Sequence, residues 1–360
     1  MVRVAACAGL MMALPAGACA QNRPAYVDRS IAEDHVQTPK RGIRDIPGVY
    51  AGHHTLSARP TGCTVVLTPD GAVGGVDVRG GAPGTRETDL LDPVNSVQRV
   101  NGIALSGGSA YGLDVATGVS RFLEEQGSGF PAGPVRVPIV PAAVLFDLSI
   151  GDPSIRPDAD CGYRAAQAAM AGEGELAEGN VGAGAGATVG KIAGMARAMK
   201  AGVGTASIEL SSGLVVAAVV AVNPVGDVVD PRTGRIVAGV RTEQGDELAD
   251  ASQMLREGRP PAELPGSNTV IGIVATNATL TQAEATKVAQ MAQDGLARAV
   301  RPSHTPWDGD TIFALATGTH EGADLTTVGA LAADVVAEAI LRSVYAAESI
   351  EGVPALSDMP

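Results

Sequence analysis

The chain has 360 residues, 45% of them apolar and 18% charged, which excludes a disordered chain and is long enough for a sizeable core. A net charge of −13 argues against nucleic acid as a partner, since a phosphate backbone needs a basic face. Aromatics make up 3% against 46 glycines, so the core is expected to close through glycine- and alanine-mediated contacts of helices on sheets.

Residues 1–20 read as a secretory signal. Arg3 is followed by the apolar run Val4 to Leu14, and Ala18-Cys19-Ala20 offers a cleavage site before Gln21. The run is too short to span a membrane. Lipidation at Cys19 is the weaker alternative, because Ala16 stands where such signals prefer leucine. The expectation is an exported protein, periplasmic or secreted. Residues 21–45 are polar and mixed in charge, an N-terminal arm. Of the two cysteines outside the signal, Cys63 and Cys161 could pair in an oxidising compartment, but two separate buried thiols is the preferred reading.

From Gly48 onward the pattern becomes that of a layered α/β protein. Thr64 to Thr68 reads as a strand, Pro69-Asp70-Gly71 as a turn and Ala72 to Val78 as the return strand of a hairpin. Val100 to Leu105 is a further strand, followed by a helix from Ala110 that stops at Gly127. Val135 to Leu148 carries two prolines and is expected at an edge or as irregular strand. An alanine-rich helix runs from about Cys161 to Met170, and Gly182 to Gly190 is a glycine-alanine loop leading to Lys191. Val203 to Leu210 and Leu214 to Val222 are strands. Residues 241–265, rich in charge and proline, have linker character with room for one short helix. Then come a strand over Val270 to Ala275, a helix opened by the capping box Thr281-Gln282-Ala283-Glu284, a strand over Thr311 to Thr317 and a helix over Thr327 to Glu348.

Several familiar motifs do not hold. The Gly182–Ala187 loop lacks the glycine and hydroxyl residue of a phosphate-binding loop, Ser109 lacks the second glycine of a nucleophile elbow, and the five histidines form no H-x-x-x-H zinc pair. Thr269 remains, a hydroxyl residue between linker and strand. If the Asn268–Thr269 bond is cut, the freed threonine carries nucleophile and base together: Oγ attacks and its own α-amino group takes the proton. That amine has an ordinary pKa of about 7.7–8.0, close to working pH. On this pattern alone a threonine opening a strand is ordinarily a β-former, and the stretch decides nothing.

The wider constellation is more specific. The stretches Thr269-Val270-Ile271-Gly272-Ile273-Val274-Ala275-Thr276-Asn277 and His304-Thr305-Pro306-Trp307-Asp308-Gly309-Asp310-Thr311 resemble the DmpA-like self-cleaving peptidases. So do Ser106 to Leu113, the loop ending in Lys191, and Val222-Asn223-Pro224-Val225-Gly226, all in the family's order from about Pro47 to Thr317. Within that family the likeness is strongest to the nylon-oligomer hydrolase branch (6-aminohexanoate-oligomer endohydrolases), which carries Asp-Gly-Asp and threonine where β-peptide-cutting relatives have serine and glutamate.

The resemblance implies an α/β/β/α sandwich of the ornithine-acetyltransferase type, self-cleaved into a large subunit (46–268 after the arm) and a small subunit (269–360). It implies Thr269 as nucleophile, Asp308 and Asp310 as the acidic pair around its amine, Lys191 beside it, Asn223 as oxyanion donor and Tyr111 near the substrate. It further implies no metal or organic cofactor, and a tetramer of heterodimers. The expected activity is hydrolysis of linear amides of the aminohexanoate-oligomer type, with aminopeptidase action on peptides or β-peptides as the alternative. Two readings from other classes stay open: an acyl transferase like the ornithine acetyltransferases, and an exported binding protein that never cleaves.

Overall fold

The computed structural model describes Met1 and residues 42–259, 262 and 267–359. The expected signal, the arm up to residue 41 and most of residues 260–266 lie outside them. Nine strands make one large sheet: β1 (Tyr50–Thr55), β2 (Gly62–Val78), β3 (Thr85–Arg86), β4 (Arg99–Ser106), β5 (Ala142–Val144), β6 (Val203–Glu209), β7 (Val215–Asn223), β8 (Thr269–Ala278) and β9 (Thr311–His320). Their order is β6-β7-β8-β9-β2-β4-β5-β3, with β1 on the free side of β2's first half. The helices are α1 (Val115–Glu125), α2 (Ala159–Ala171), α3 (Ala251–Arg256), α4 (Gln282–Ala299) and α5 (Leu325–Tyr345).

The expected hairpin at Pro69-Asp70-Gly71 is not formed; β2 is one strand of 17 residues. Leu67 pairs with Gly102 and Ala72 with Val100, so the three turn-like residues are extruded as a bulge while the chain keeps its direction. Gly71 takes the left-handed conformation this needs, at φ +78°. The first half of β2 pairs with β1 and β4, and its second half pairs with β9.

Bent in this way, the sheet packs against itself, and alternation along the strands shows which side each residue serves. On β7, Val216, Ala218, Val220 and Val222 join Val270 and Val274 of β8 in a core with α4 and α5. The intervening Val215, Ala217, Val219 and Ala221 join Ile271, Ile273, Phe313 and Leu315 in a second core, shared with Val66, Ile103 and Leu105 of the other half. Cys63, Val65 and Leu67 point the opposite way, into a third core with α1 and α2. Three cores separate four layers, α/β/β/α, as expected.

Small residues close the layers. A Cβ on Gly75 would strike the backbone of Ala285 in α4, and one on Gly118 of α1 would strike Ala159 of α2. The helix expected from Ala110 begins instead as a 3-10 turn over Ser109–Asp114, because Gly108 (φ +84°) and Ser109 (φ +55°) swing the chain sharply out of β4. The capping box at α4 forms as read, with Glu284 accepting from the Thr281 N–H at 2.8 Å.

Cys63 and Cys161 are joined in a disulfide, correcting the expectation of separate thiols. Helix α2 lies across β1 and β2 and brings the two Cα atoms to 6.3 Å. The docking of that helix on that strand is a tertiary fact with no local sequence signature.

Candidate active site

Thr269 is the first residue of β8 and is 3% exposed. On one side the register sets it opposite Asn223, the last residue of β7. On the other, Asn268 bridges to Asp308, just before β9. The nucleophile candidate therefore stands where a central strand emerges between the end of its neighbour and the 304–310 loop. Its hydroxyl donates to the Asn268 carbonyl oxygen. That same oxygen accepts a hydrogen bond of 2.9 Å from the Gly309 N–H. A Cβ on Gly309 would come within 2.9 Å of Thr269 Oγ and 2.8 Å of the Ala82 carbonyl oxygen, so the close approach depends on glycine.

Asp308 and Asp310 are buried, at 0% and 1% exposure. Asp310 Oδ1 accepts from the Val270 N–H at 2.7 Å, tying it to the residue after the threonine. Its Oδ2 accepts from both the backbone N–H (3.0 Å) and Nδ1 (2.9 Å) of His304. Asp308 Oδ2 accepts from the Thr305 N–H at 2.9 Å and from the Thr305 hydroxyl, while Oδ1 has no hydrogen-bond partner. Burial pushes the Asp308 carboxyl up to about 6, and the neighbouring Asp310 adds to the rise; the Thr305 hydrogen bonds and Lys191 oppose it.

Lys191 follows Gly190, whose φ of +71° lets the loop press against the Gly239–Val240 backbone. The Lys191 ammonium is buried and donates to Asn223 O (2.7 Å), Asn223 Oδ1 (2.8 Å) and Thr188 O (3.1 Å). Three protein oxygens thus replace water around its three protons. Burial nevertheless lowers its pKa to about 7, against the pull of Asp308 and Asp310. With Oδ1 held by Lys191 and by the Thr188 N–H (3.0 Å), the Asn223 amide is oriented. Its Nδ2 donates to Phe146 O (3.0 Å) and to Ser267 O (3.3 Å), on the strand-entry side where the Asn268–Thr269 bond lies.

Six of the residues singled out from sequence, Lys191, Asn223, Asn268, Thr269, Asp308 and Asp310, therefore form one connected buried cluster. Tyr111 stands apart: it is 60% exposed, with the Arg156 guanidinium 3.7 Å above its ring. The link between them is backbone. Ser109 N–H donates to Leu145 O at 2.9 Å, and the next carbonyl, that of Phe146, accepts from Asn223. Sequence reasoning missed the partners His304 and Thr305, the Gly309 N–H and Thr188. Three of these lie in the same His304–Thr311 stretch, where donors precede and separate a pair of acids.

The model of peptidase family S58 matches residues 41–356 of the chain. An uncharacterized aminopeptidase of Mycobacterium leprae is 49% identical over 352 residues, covering 89% of this chain and 94% of the relative. The 6-aminohexanoate-oligomer endohydrolase of Kocuria sp. strain KY2 is 33% identical over 315 residues, covering 83% of this chain and 84% of the relative. Among solved structures, a Burkholderia sp. beta-aminopeptidase superposes with a TM-score of 0.63 at 25% identity, covering 89% and 92% of the two chains. The L-aminopeptidase D-Ala-esterase/amidase of Ochrobactrum anthropi, a variant of the Ntn hydrolase fold, superposes with a TM-score of 0.59 at 20% identity, covering 86% and 87%.

Proposed function

The chain belongs to peptidase family S58 and hydrolyses peptide or amide bonds, and we propose that it does so as a self-processing enzyme whose nucleophile is the threonine freed at Asn268–Thr269. The observation that carries this reading is the placement of the Thr269 hydroxyl against the Asn268 carbonyl, with that oxygen held by the Gly309 N–H at 2.9 Å. In self-cleavage, Oγ attacks the Asn268 carbonyl carbon, and negative charge grows on the oxygen that Gly309 already holds. The C–N bond breaks, the threonine nitrogen takes the proton, and an ester joins Asn268 to Thr269 Oγ. Water hydrolyses it, leaving a carboxylate on Asn268 and a free amine and hydroxyl on Thr269.

The same chemistry then serves substrates. The amine takes the proton from Oγ as it attacks an amide carbonyl, and passes it to the departing amine; water frees the acid from the acyl-enzyme. Asn223 Nδ2 donates to Phe146 O and Ser267 O in the uncut chain, and it becomes the side-chain donor to the oxyanion once the cut at Asn268–Thr269 lets the Ser267 side move away. The unpartnered Asp308 Oδ1 accepts the new ammonium, and the Lys191 charge keeps that amine's pKa low enough for it to act as a base. Processing divides the mature chain into subunits 21–268 and 269–360, which assemble as a tetramer of heterodimers. Export fits both the reading of residues 1–20 and the Cys63–Cys161 disulfide.

For substrate, the 49% identical aminopeptidase favours peptides cut at a free N-terminus. The Asp-Gly-Asp motif and the 33% identical endohydrolase favour aminohexanoate oligomers as a second class. The test is to incubate purified protein with short peptides, their N-acetylated counterparts and 6-aminohexanoate trimer. The expected result is release of the first residue from free peptides, slow or no cleavage of acetylated ones, and weaker turnover of the trimer. No cleavage of any of the three substrates, or equal turnover by Thr269→Ala and parent, would contradict the reading.

A further inference from the structure

The two buried carboxylates are held by consecutive residues in the same manner. His304 donates its backbone N–H and its Nδ1 to one oxygen of Asp310, at 3.0 and 2.9 Å. Thr305 donates its backbone N–H, at 2.9 Å, and its hydroxyl to one oxygen of Asp308. The other oxygens differ: Asp310 Oδ1 receives the Val270 N–H, next to the threonine, and Asp308 Oδ1 is buried with no hydrogen-bond partner. Successive N–H groups of an extended chain point in opposite directions, and those of a helix run parallel. Here they diverge onto two neighbouring anions because His304 sits at φ +55°, an unfavourable conformation for a residue with a β-carbon. Such a conformation persists where the surrounding contacts hold it.

We propose that His304 and Thr305 are positioning residues, a two-residue clamp that fixes the rotamers of Asp310 and Asp308 and thereby the orientation of Thr269. His304 acts through Asp310 and the Val270 amide. Thr305 acts through Asp308, steering its free oxygen toward the nucleophile. The thrift of the arrangement is geometric: four donors on two residues immobilise two like charges that would otherwise swing apart. Asp308 is also the carboxylate whose charged form the Thr305 hydrogen bonds favour.

This assignment rests on Thr269 being the nucleophile, so the test separates the two. The self-cleavage rate, kcat and KM on a free-amine peptide are measured for the parent and for His304→Ala, His304→Asn, Thr305→Val and Thr305→Ser. Asparagine tolerates the left-handed backbone and presents an amide donor; serine restores the hydroxyl. For the alanine and valine variants the clamp predicts self-cleavage and kcat lowered by about tenfold or more, with KM within about twofold, as for a displaced catalytic group. The asparagine and serine variants should recover most of that loss. Should His304→Ala not fold, Thr305→Val, which keeps the shape and the N–H, decides the matter. Parental rates in Thr305→Val, or a lower thermal midpoint with kcat unchanged, would overturn the clamp. A parent that is itself never cleaved would instead remove the nucleophile reading.

Discussion

A threonine hydroxyl is a poor nucleophile until something takes its proton and something else receives the charge it creates. In the proposed mechanism the first duty falls to the amine of Thr269 itself and the second to neighbouring donors, and the residues that support each can be tested alone. Asn223→Ala removes the Nδ2 donor and also takes Oδ1, one of its three acceptors, from Lys191. The expected loss in kcat is about 10²–10³-fold, the size seen when one oxyanion donor is deleted; a loss below about threefold would exclude the role. Lys191→Met tests the electrostatics. A neighbouring positive charge lowers an amine's pKa, so its removal raises the pKa of the Thr269 amine. The acid limb of the kcat/KM profile should then move to higher pH, by about one unit. An unmoved limb would show that Lys191 only fills space. The Asp308 carboxyl, pushed up to about 6, acts on the same limb at lower pH: below that pH it takes a proton and no longer holds an ammonium.

Among the elements, the short helix α3 is tied to the body of the protein through Asp227. The carboxylate of Asp227 accepts from Ala251 N–H at 2.6 Å and Val240 N–H at 2.8 Å, and burial raises its pKa from 3.8 to about 7. A raised folded pKa gives stability that is full below the unfolded value and is lost as pH rises through the folded one. The thermal midpoint of the parent should therefore fall between about pH 4 and 7 relative to Asp227→Asn, as the linkage relation requires; parallel profiles would contradict this. The disulfide gives a second prediction at this scale. Cys161→Ser should cost about 2–5 kcal/mol, read as a lower denaturation midpoint, with self-cleavage retained. Loss of cleavage in a folded variant would place the disulfide in the site's machinery. The disulfide and the bulge in β2 mark where sequence reading stops. The strands β7, β8 and β9 are readable because apolar runs and their flanking turns are local signals. The bulge at Pro69–Gly71 is not, since the same residues make a good hairpin turn, and the choice falls to pairing with β9, far along the chain. The Cys63–Cys161 pairing depends in the same way on how α2 docks.

At the scale of the whole molecule, four layers of small residues bring distant segments to one point. Lys191 from a glycine loop, Asn223 from the end of β7, Thr269 from the start of β8 and the acids before β9 meet in one buried cluster. That cluster was legible because each member stands in a stretch resembling a family motif, and Thr269 alone would have been indistinguishable from any strand-initial threonine. What the motifs did not reveal is which neighbours hold the acids, since a hydrogen bond from His304 or Thr305 leaves no trace in spacing. In the proposed mechanism one peptide bond opens to create the working residue. Intact mass and N-terminal sequencing of purified parent and Thr269→Ala protein test it most directly. Two chains are predicted for the parent, one beginning Thr-Val-Ile-Gly, and a single uncut chain for the variant. A parent that stays whole, or a variant cut at the same bond, would contradict it.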